Sequence, residues 1–361
     1  MIDNPINLDT AAAGRPLPQL SQWYAELLPL YSFNPHGGTC YSERSRRLVI
    51  DAERRLLALL GITEGSADVI WTSGVTEALN LAATAFRDKD VLLDPGAHEA
   101  LSKPLAIARC AKFQIDGSGR LHSDVSCDNA ALSHINNETG VEQDIVRIRR
   151  EIGDGLILVD AAQSFSRTRI PWNEAGIDML AVSSRKIGGP ANVGALVCRC
   201  GRVALKPLIL GGGQQHGLRS GTLDACGIEM FVRAAECLSA AMAERQSIIC
   251  ALNVEFRKCL EAFRWPHELV CGAGDRHIHM LHLLGFEGAV VSRILAEEHG
   301  IMVASSSACS AEHGGGSTTM RALGYSEKAA KEAIRISFDG NTTTEEIKRL
   351  FYALNKTLED F

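Results

Sequence analysis

Asp178-Met-Leu-Ala-Val-Ser-Ser-Arg-Lys-Ile-Gly-Gly-Pro-Ala-Asn-Val-Gly194 is the stretch that decides the fold. Met179 to Val182 is a short apolar run and reads as a buried strand. It ends in two hydroxyls and two cations, Ser183 to Lys186. Gly188, Gly189 and Pro190 then break the chain, and Val193 to Cys198 begins another strand. A lysine at the end of a buried strand, among small residues, is placed to lose solvent. Desolvation lowers the pKa of an ammonium and makes the amine a usable nucleophile. An isolated Arg-Lys pair would be an ordinary surface turn; the elements that precede this one argue otherwise.

Outward toward the N-terminus, strands alternate with helices. Strands are expected at Asp68 to Trp71, Val91 to Asp94, from Ala131, and at Gly155 to Asp160. Helices are expected at Leu20 to Tyr31, Arg44 to Leu60, Glu77 to Phe86, from Glu99 to about Ala111, and at Asp144 to Ile152. The arginines of two of these helices (Arg44, Arg46, Arg47, Arg54 and Arg55; Arg147, Arg149 and Arg150) read as solvated faces. This alternation implies an α/β fold with a mainly parallel sheet. Ligands of such sheets sit beyond the carboxyl ends of the strands. Thr72 to Thr76, His98, Asn137, Asp160 with Gln163, and Ser183 to Lys186 all fall at such ends.

Outward toward the C-terminus, Gly211 to Gly213 leads into Arg219-Ser-Gly-Thr222, and a long helical stretch covers about Ala225 to Phe263. Beyond Trp265 the pattern becomes a second αβ unit. It has strands at His277 to about Leu284, Ile301 to Val303 and Ile334 to Phe338, and helices at Glu287 to His299, near Ser326 to Ala333, and at Thr343 to Glu359. Between them, Ala304 to Ser317 is a loop rich in Ser and Gly. His277, His279 and His282 have no Cys or carboxylate cluster to complete a zinc pattern, so no metal is expected.

The chain has 361 residues, 46% hydrophobic and 22% charged, with a formal charge of −6. That suits a large core and argues against direct nucleic-acid contact. No apolar run reaches the length of a membrane span. Eleven cysteines without framework spacing, and no signal-peptide pattern at the start, predict free thiols in a reducing cytoplasm.

Asp160 precedes Lys186 by 26 residues, both at strand ends. A Schiff-base lysine with a carboxylate for a pyridinium nitrogen is the signature of pyridoxal 5'-phosphate sites. The carboxylate raises the pKa of that nitrogen, and the protonated ring then accepts electrons from the substrate α-carbon. At Gly74, Val75 and Thr76 the free amides of a helix start face an anion such as a phosphate. Ser183 and Arg185 can serve the same phosphate, and His98 can stack on the ring and move protons.

Thr72-Ser-Gly-Val-Thr-Glu77, Asn136-Asn-Glu-Thr-Gly140, Asp160-Ala-Ala-Gln-Ser164, Ser183-Ser-Arg-Lys186, Arg219-Ser-Gly-Thr222, Ser306-Ser-Ala-Cys309 and Arg335-Ile-Ser337 occur in that order. Together they resemble the cysteine desulfurases, over nearly the whole chain. The resemblance implies the pyridoxal-phosphate-dependent transferase (aspartate aminotransferase-like) fold and a homodimer. It implies a large domain at 15–245 and a small domain made of 1–14 with 246–361. It also implies a reaction: L-cysteine to L-alanine, with a persulfide on Cys309 passed to a sulfur-acceptor protein. Lys186 would hold the cofactor, His98 would stack and act as acid/base, Asp160 would meet the pyridine nitrogen, and Gln163 would bond the phenolic oxygen. Thr76 and Ser183 would bind phosphate, Thr222 would reach the partner subunit's phosphate, and Asn137 and Arg335 would bind the substrate carboxylate.

Departures from the family pattern are Arg185 where His is usual, His216 where Arg is usual, and Ser306 where a Gly usually precedes the catalytic thiol by three residues. Glu312-His-Gly-Gly-Gly316 is unlike the housekeeping iron–sulfur members and points to a specialised acceptor. Iron–sulfur assembly, tRNA or cofactor thiolation and DNA phosphorothioation all use donors of this family. Two other readings stand beside the desulfurase: a selenocysteine lyase or other pyridoxal-phosphate lyase, and a non-catalytic scaffold of a sulfur-transfer complex.

Overall fold

The computed structural model describes residues 5–305 and 317–359. Cys309 lies outside them. The larger sheet has seven strands in the spatial order Ala67–Thr72, Gly194–Arg199, Met179–Ser183, Ile157–Asp160, Ala130–Ser133, Asp90–Leu93 and Arg109–Lys112. Gly194–Arg199 runs antiparallel to both its neighbours; the other pairs are parallel. The central strands are apolar on both faces because both faces are covered. Ile157, Val159, Leu180 and Val182 enter one core, while Leu158, Met179, Ala181 and Leu196 enter the core on the opposite face.

A second, antiparallel sheet has the order His267–Leu269, Ile278–Leu283, Ala333–Ser337, Ala304–Ser305. The helices Met242–Glu261, Gly288–His299 and Thr344–Glu359 bury Leu252, Phe256, Val291, Leu295, Leu350 and Phe351 in its core. The N-terminal segment straps the two sheets together. Ile6–Asn7 pairs with Ile301–Met302, and Asp9 bridges Ser337. Farther on, Gly14 N donates to Arg185 O at 3.0 Å and Leu17 N to Gly188 O at 3.0 Å. The approach requires glycine: a Cβ on Gly14 would lie 2.6 Å from Gly188 N and 2.7 Å from Lys186 O.

Three expectations are corrected. The helix from Glu99 does not reach Ala111: it stops at Ser102, a single turn covers Pro104–Ile107, and Arg109–Lys112 is an edge strand. Pro104 ends the helix because its ring and missing N–H do not fit a helix interior. The stretch from Ala225 to Phe263 is two helices, Ala225–Ala240 and Met242–Glu261, parted at Ala241. Two arginines are not solvated. Arg149 donates to the carbonyls of Ala175 and Gly153 and to buried Asp178 at 3.0 Å, and Arg55 pairs with buried Glu229 at 3.0 Å.

The three strand histidines are taken up separately. His282 faces Glu332 at 3.2 Å, and His277 accepts from Arg167 at 3.2 Å. His279 stacks on Phe256 and donates Nε2–H to Asn253 at 2.8 Å. Burial, with a smaller contribution from Arg276, lowers the His279 pKa from 6.5 to about 3. The folded form therefore binds fewer protons than the unfolded chain between those values, and stability falls as pH drops through that window. His279→Gln is expected to flatten this acid limb in urea titrations from pH 7 to 4; an unchanged limb would contradict the assignment.

Candidate active site

Lys186 sits in the single turn Arg185–Ile187, directly after the strand Met179–Ser183. Its Nζ donates to Ala11 O and Ala12 O, both at 2.8 Å. The N-terminal strap thus aims the amine, a role the sequence reading did not assign to these alanines. Asp160 ends its strand, buried, with Oδ1 accepting from Ala162 N at 2.9 Å. Burial pushes its pKa up, and nearby His98 and Lys186 oppose that rise. Among the described residues Oδ2 has no hydrogen-bond donor, which leaves one carboxylate oxygen available within electrostatic reach of His98 and Lys186.

His98 opens the short helix Glu99–Ser102, and its Nδ1 accepts from Ala100 N at 3.0 Å. A neutral ring therefore carries its proton on Nε2. Partial burial lowers the His98 pKa; Lys186 lowers it further and Asp160 raises it. The sequence reading put His98, Asp160 and Lys186 at separate strand ends, and the structure brings them within electrostatic reach of one another.

Gly74 precedes the helix Val75–Ala83, and no side chain caps the first amides. Gly194 on the adjacent strand permits the turn: a Cβ there would lie 2.6 Å from Gly74 Cα. Glu77 fixes the turn by accepting from Ser73 N at 2.7 Å and from Arg219 at 2.8 Å. That pair, inside two of the quoted motifs, was not anticipated. Thr76 and Arg185 are exposed, Ser183 is buried at its strand end, and Thr222 is exposed in the loop after Arg219. His216 is exposed, with a left-handed backbone, φ 58°.

Gln163 is buried. Its Nε2 donates to Ala11 O at 2.9 Å and its Oε1 accepts from Arg167 at 2.6 Å, so one amide N–H remains for another acceptor. Arg335 is buried, donating to Asn137 O at 3.0 Å and to Asp9 at 2.8 Å. Its Nε has no partner among the described residues. Asp9 is a further residue to which sequence reasoning assigned no role. Arg335→Gln is expected to raise the KM for an amino-acid substrate about 10- to 100-fold, the worth of a charge-assisted hydrogen bond, with cofactor retention unchanged. An unaltered KM would remove Arg335 from substrate binding.

A strand-end lysine, a buried carboxylate with one free oxygen and an uncapped helix start are the donor set that pyridoxal phosphate requires, so the residues fit the group. Comparison with known proteins agrees. The family model for aminotransferase class V matches residues 6–350. The cysteine desulfurase IscS 1 of Archaeoglobus fulgidus is 29% identical over 349 residues, 90% of this chain and 90% of the relative. The cysteine desulfurase IscS of Pseudomonas putida is 30% identical across 98% of this chain and 92% of the relative. In fold, the chain resembles the NifS-like protein of Rickettsia africae, with a TM-score of 0.88 and 24% identity, covering 99% of this chain and 100% of that one. The chain belongs to the class V aminotransferases, in their cysteine desulfurase branch, and is a pyridoxal-phosphate-dependent enzyme.

Proposed function

We propose that the chain converts L-cysteine to L-alanine and carries the released sulfur as a persulfide on Cys309 to an acceptor protein. The observation that supports this most is the convergence of Lys186, Asp160 and His98 at the carboxyl ends of the parallel strands. Pyridoxal phosphate, when bound, supplies an aldehyde for the substrate amine and an electron sink for the α-carbon.

The chain's own residues supply the rest. Gly74, Val75 and Thr76, with Ser183 and Arg185, hold the phosphate. Asp160 keeps the ring nitrogen protonated, and the remaining amide N–H of Gln163 meets the phenolic oxygen. Arg335 and Asn137 orient the substrate carboxylate. Lys186 Nζ takes the α-proton and His98 moves protons at its Nε2. The Cys309 thiolate attacks the substrate sulfur; the carbon–sulfur bond breaks, its electron pair stays with the substrate carbon, and protonation there gives alanine.

Thr222 is exposed, as are the apolar residues Leu208, Ile209 and Leu210, whose segment bridges Arg219 at Ile209; this suits a homodimer in which Thr222 reaches the partner's phosphate. We take 15–245 as the large domain and 1–14 with 246–361 as the small one. The ten described cysteines are free thiols, which fits a reducing compartment. Among the described residues no helix is long and apolar enough to cross a membrane. With a net charge of −6, any nucleic acid would be met through the acceptor. The test is to incubate cofactor-loaded protein with L-cysteine and a thiol reductant. Equal amounts of alanine and sulfide are expected, and an absence of alanine would overturn the reading.

A further inference from the structure

A cavity of about 280 Å³ lies behind the catalytic turn, between the segment that follows Asp160 and the second sheet, against the helix Met242–Glu261. Two guanidiniums line it, Arg167 and Arg245. Among the described residues Arg167 donates to neutral acceptors alone: Gln163 O at 3.3 Å, Gln163 Oε1 at 2.6 Å, His277 Nε2 at 3.2 Å and Lys186 O at 2.7 Å. Arg245, half-buried, has no side-chain hydrogen bond or ion pair among the described residues, and its guanidinium lies over Gly340.

Three carboxylates also line it, and none forms an ion pair with Arg167 or Arg245 among the described residues. Asp275 pairs with Arg257 at 2.9 Å, Asp339 with Arg15 at 3.9 Å, and Glu142 faces His134 at 3.5 Å. His277 Nε2 accepts a hydrogen bond from Arg167, so that nitrogen carries no proton and the ring is neutral. Burial, with Arg167 and Arg245 nearby, holds its pKa well below 6.5. Burial likewise lowers Arg167 to about 10; Asp339 opposes this and Arg245 adds to it. Two like charges in a recess, neither in a direct ion pair among the described residues, repel one another, and an anion between them would relieve that repulsion.

We propose that this cavity binds a small oxyanion, a carboxylate or phosphate group, between Arg245 and Arg167, and that occupancy is transmitted to the active site through Arg167. The route is short, because the same guanidinium holds Gln163 Oε1 and the carbonyl of Lys186. Binding itself does not depend on the proposed reaction; only the transmission rests on the cofactor lying against Gln163 and Lys186.

The test is calorimetry on the cofactor-loaded protein, with inorganic phosphate in one arm and acetate in the other. Saturable binding is expected in at least one arm, and the arm that binds names the ligand class. Arg245→Met should weaken it about tenfold or more, as expected for loss of a charge-assisted hydrogen bond, and Arg245→Lys should restore part of it. Arg245 is partly exposed on a helix, and melting curves of both variants show whether they fold. No saturable binding in either arm, or equal binding in Arg245→Met, overturns the site. The visible absorbance of the cofactor should shift with the anion in the wild type and not in Arg245→Met. Binding without that shift overturns the transmission and keeps the site.

Discussion

Lys186→Ala is expected to reduce alanine production from L-cysteine by at least about 10²- to 10⁴-fold, the range for losing a positioned proton-transfer group, with loss of covalent attachment added to it. The structure gives the variant a clear interpretation. Lys186 Nζ is tied to two carbonyls of the N-terminal strap, at Ala11 and Ala12, so alanine here removes both a nucleophile and a structural contact. Lys186→Arg separates the two. Arginine retains charge and donors for those carbonyls, yet it stays protonated and forms no bond to an aldehyde. Both variants should lose turnover, while Lys186→Arg keeps the wild-type melting temperature. Borohydride treatment followed by peptide mass analysis should find cofactor fixed at Lys186 in the wild type and in neither variant. Appreciable turnover by Lys186→Arg would remove this lysine from the reaction.

The parts of this site that were legible in sequence are those carried by short-range pattern. Runs such as Ile157–Asp160 and Met179–Ser183 are apolar because both their faces are buried, and each ends in the residue that matters. The edge strand Arg109–Lys112 gave no such signal: all four of its residues are exposed, so neither a continuous apolar run nor an alternation marks it. The helix break at Ala241 was equally hidden, since alanine favours helix and only the packing of two long helices shows the turn. Partners distant in sequence were the least legible. Asp9 meets Arg335 across 326 residues, and Ala11 and Ala12 act through backbone carbonyls, which every residue possesses. The sequence places Arg149 on an apparently solvated helix face, and only the folded sheet shows Asp178 buried beneath it.

Cys309→Ala is expected to lower sulfur release from L-cysteine by more than about 10²-fold, as when a nucleophile is removed, with cofactor absorbance unchanged. Cys309 lies outside the described residues, but both ends of its segment are anchored. Before it, Ala304 and Ser305 pair with Arg335 and Ile334, so the chain leaves the sheet beside the arginine proposed to hold the substrate carboxylate. After it, the Ser317 hydroxyl donates to Glu138, and its oxygen caps the next helix at Met320 N, 2.9 Å away. Glu138 adjoins Asn137, whose carbonyl also receives Arg335. Both ends therefore lie at the proposed substrate pocket. An unshifted thiol, with a pKa of about 8.5, already supplies some thiolate at neutral pH. The comparison that decides the matter uses L-cysteine and L-selenocysteine on wild type and Cys309→Ala alike. Loss on L-cysteine alone assigns the thiol to sulfur abstraction. Full L-cysteine activity in the variant would mean that Cys309 is a bystander and that sulfur leaves without a protein persulfide.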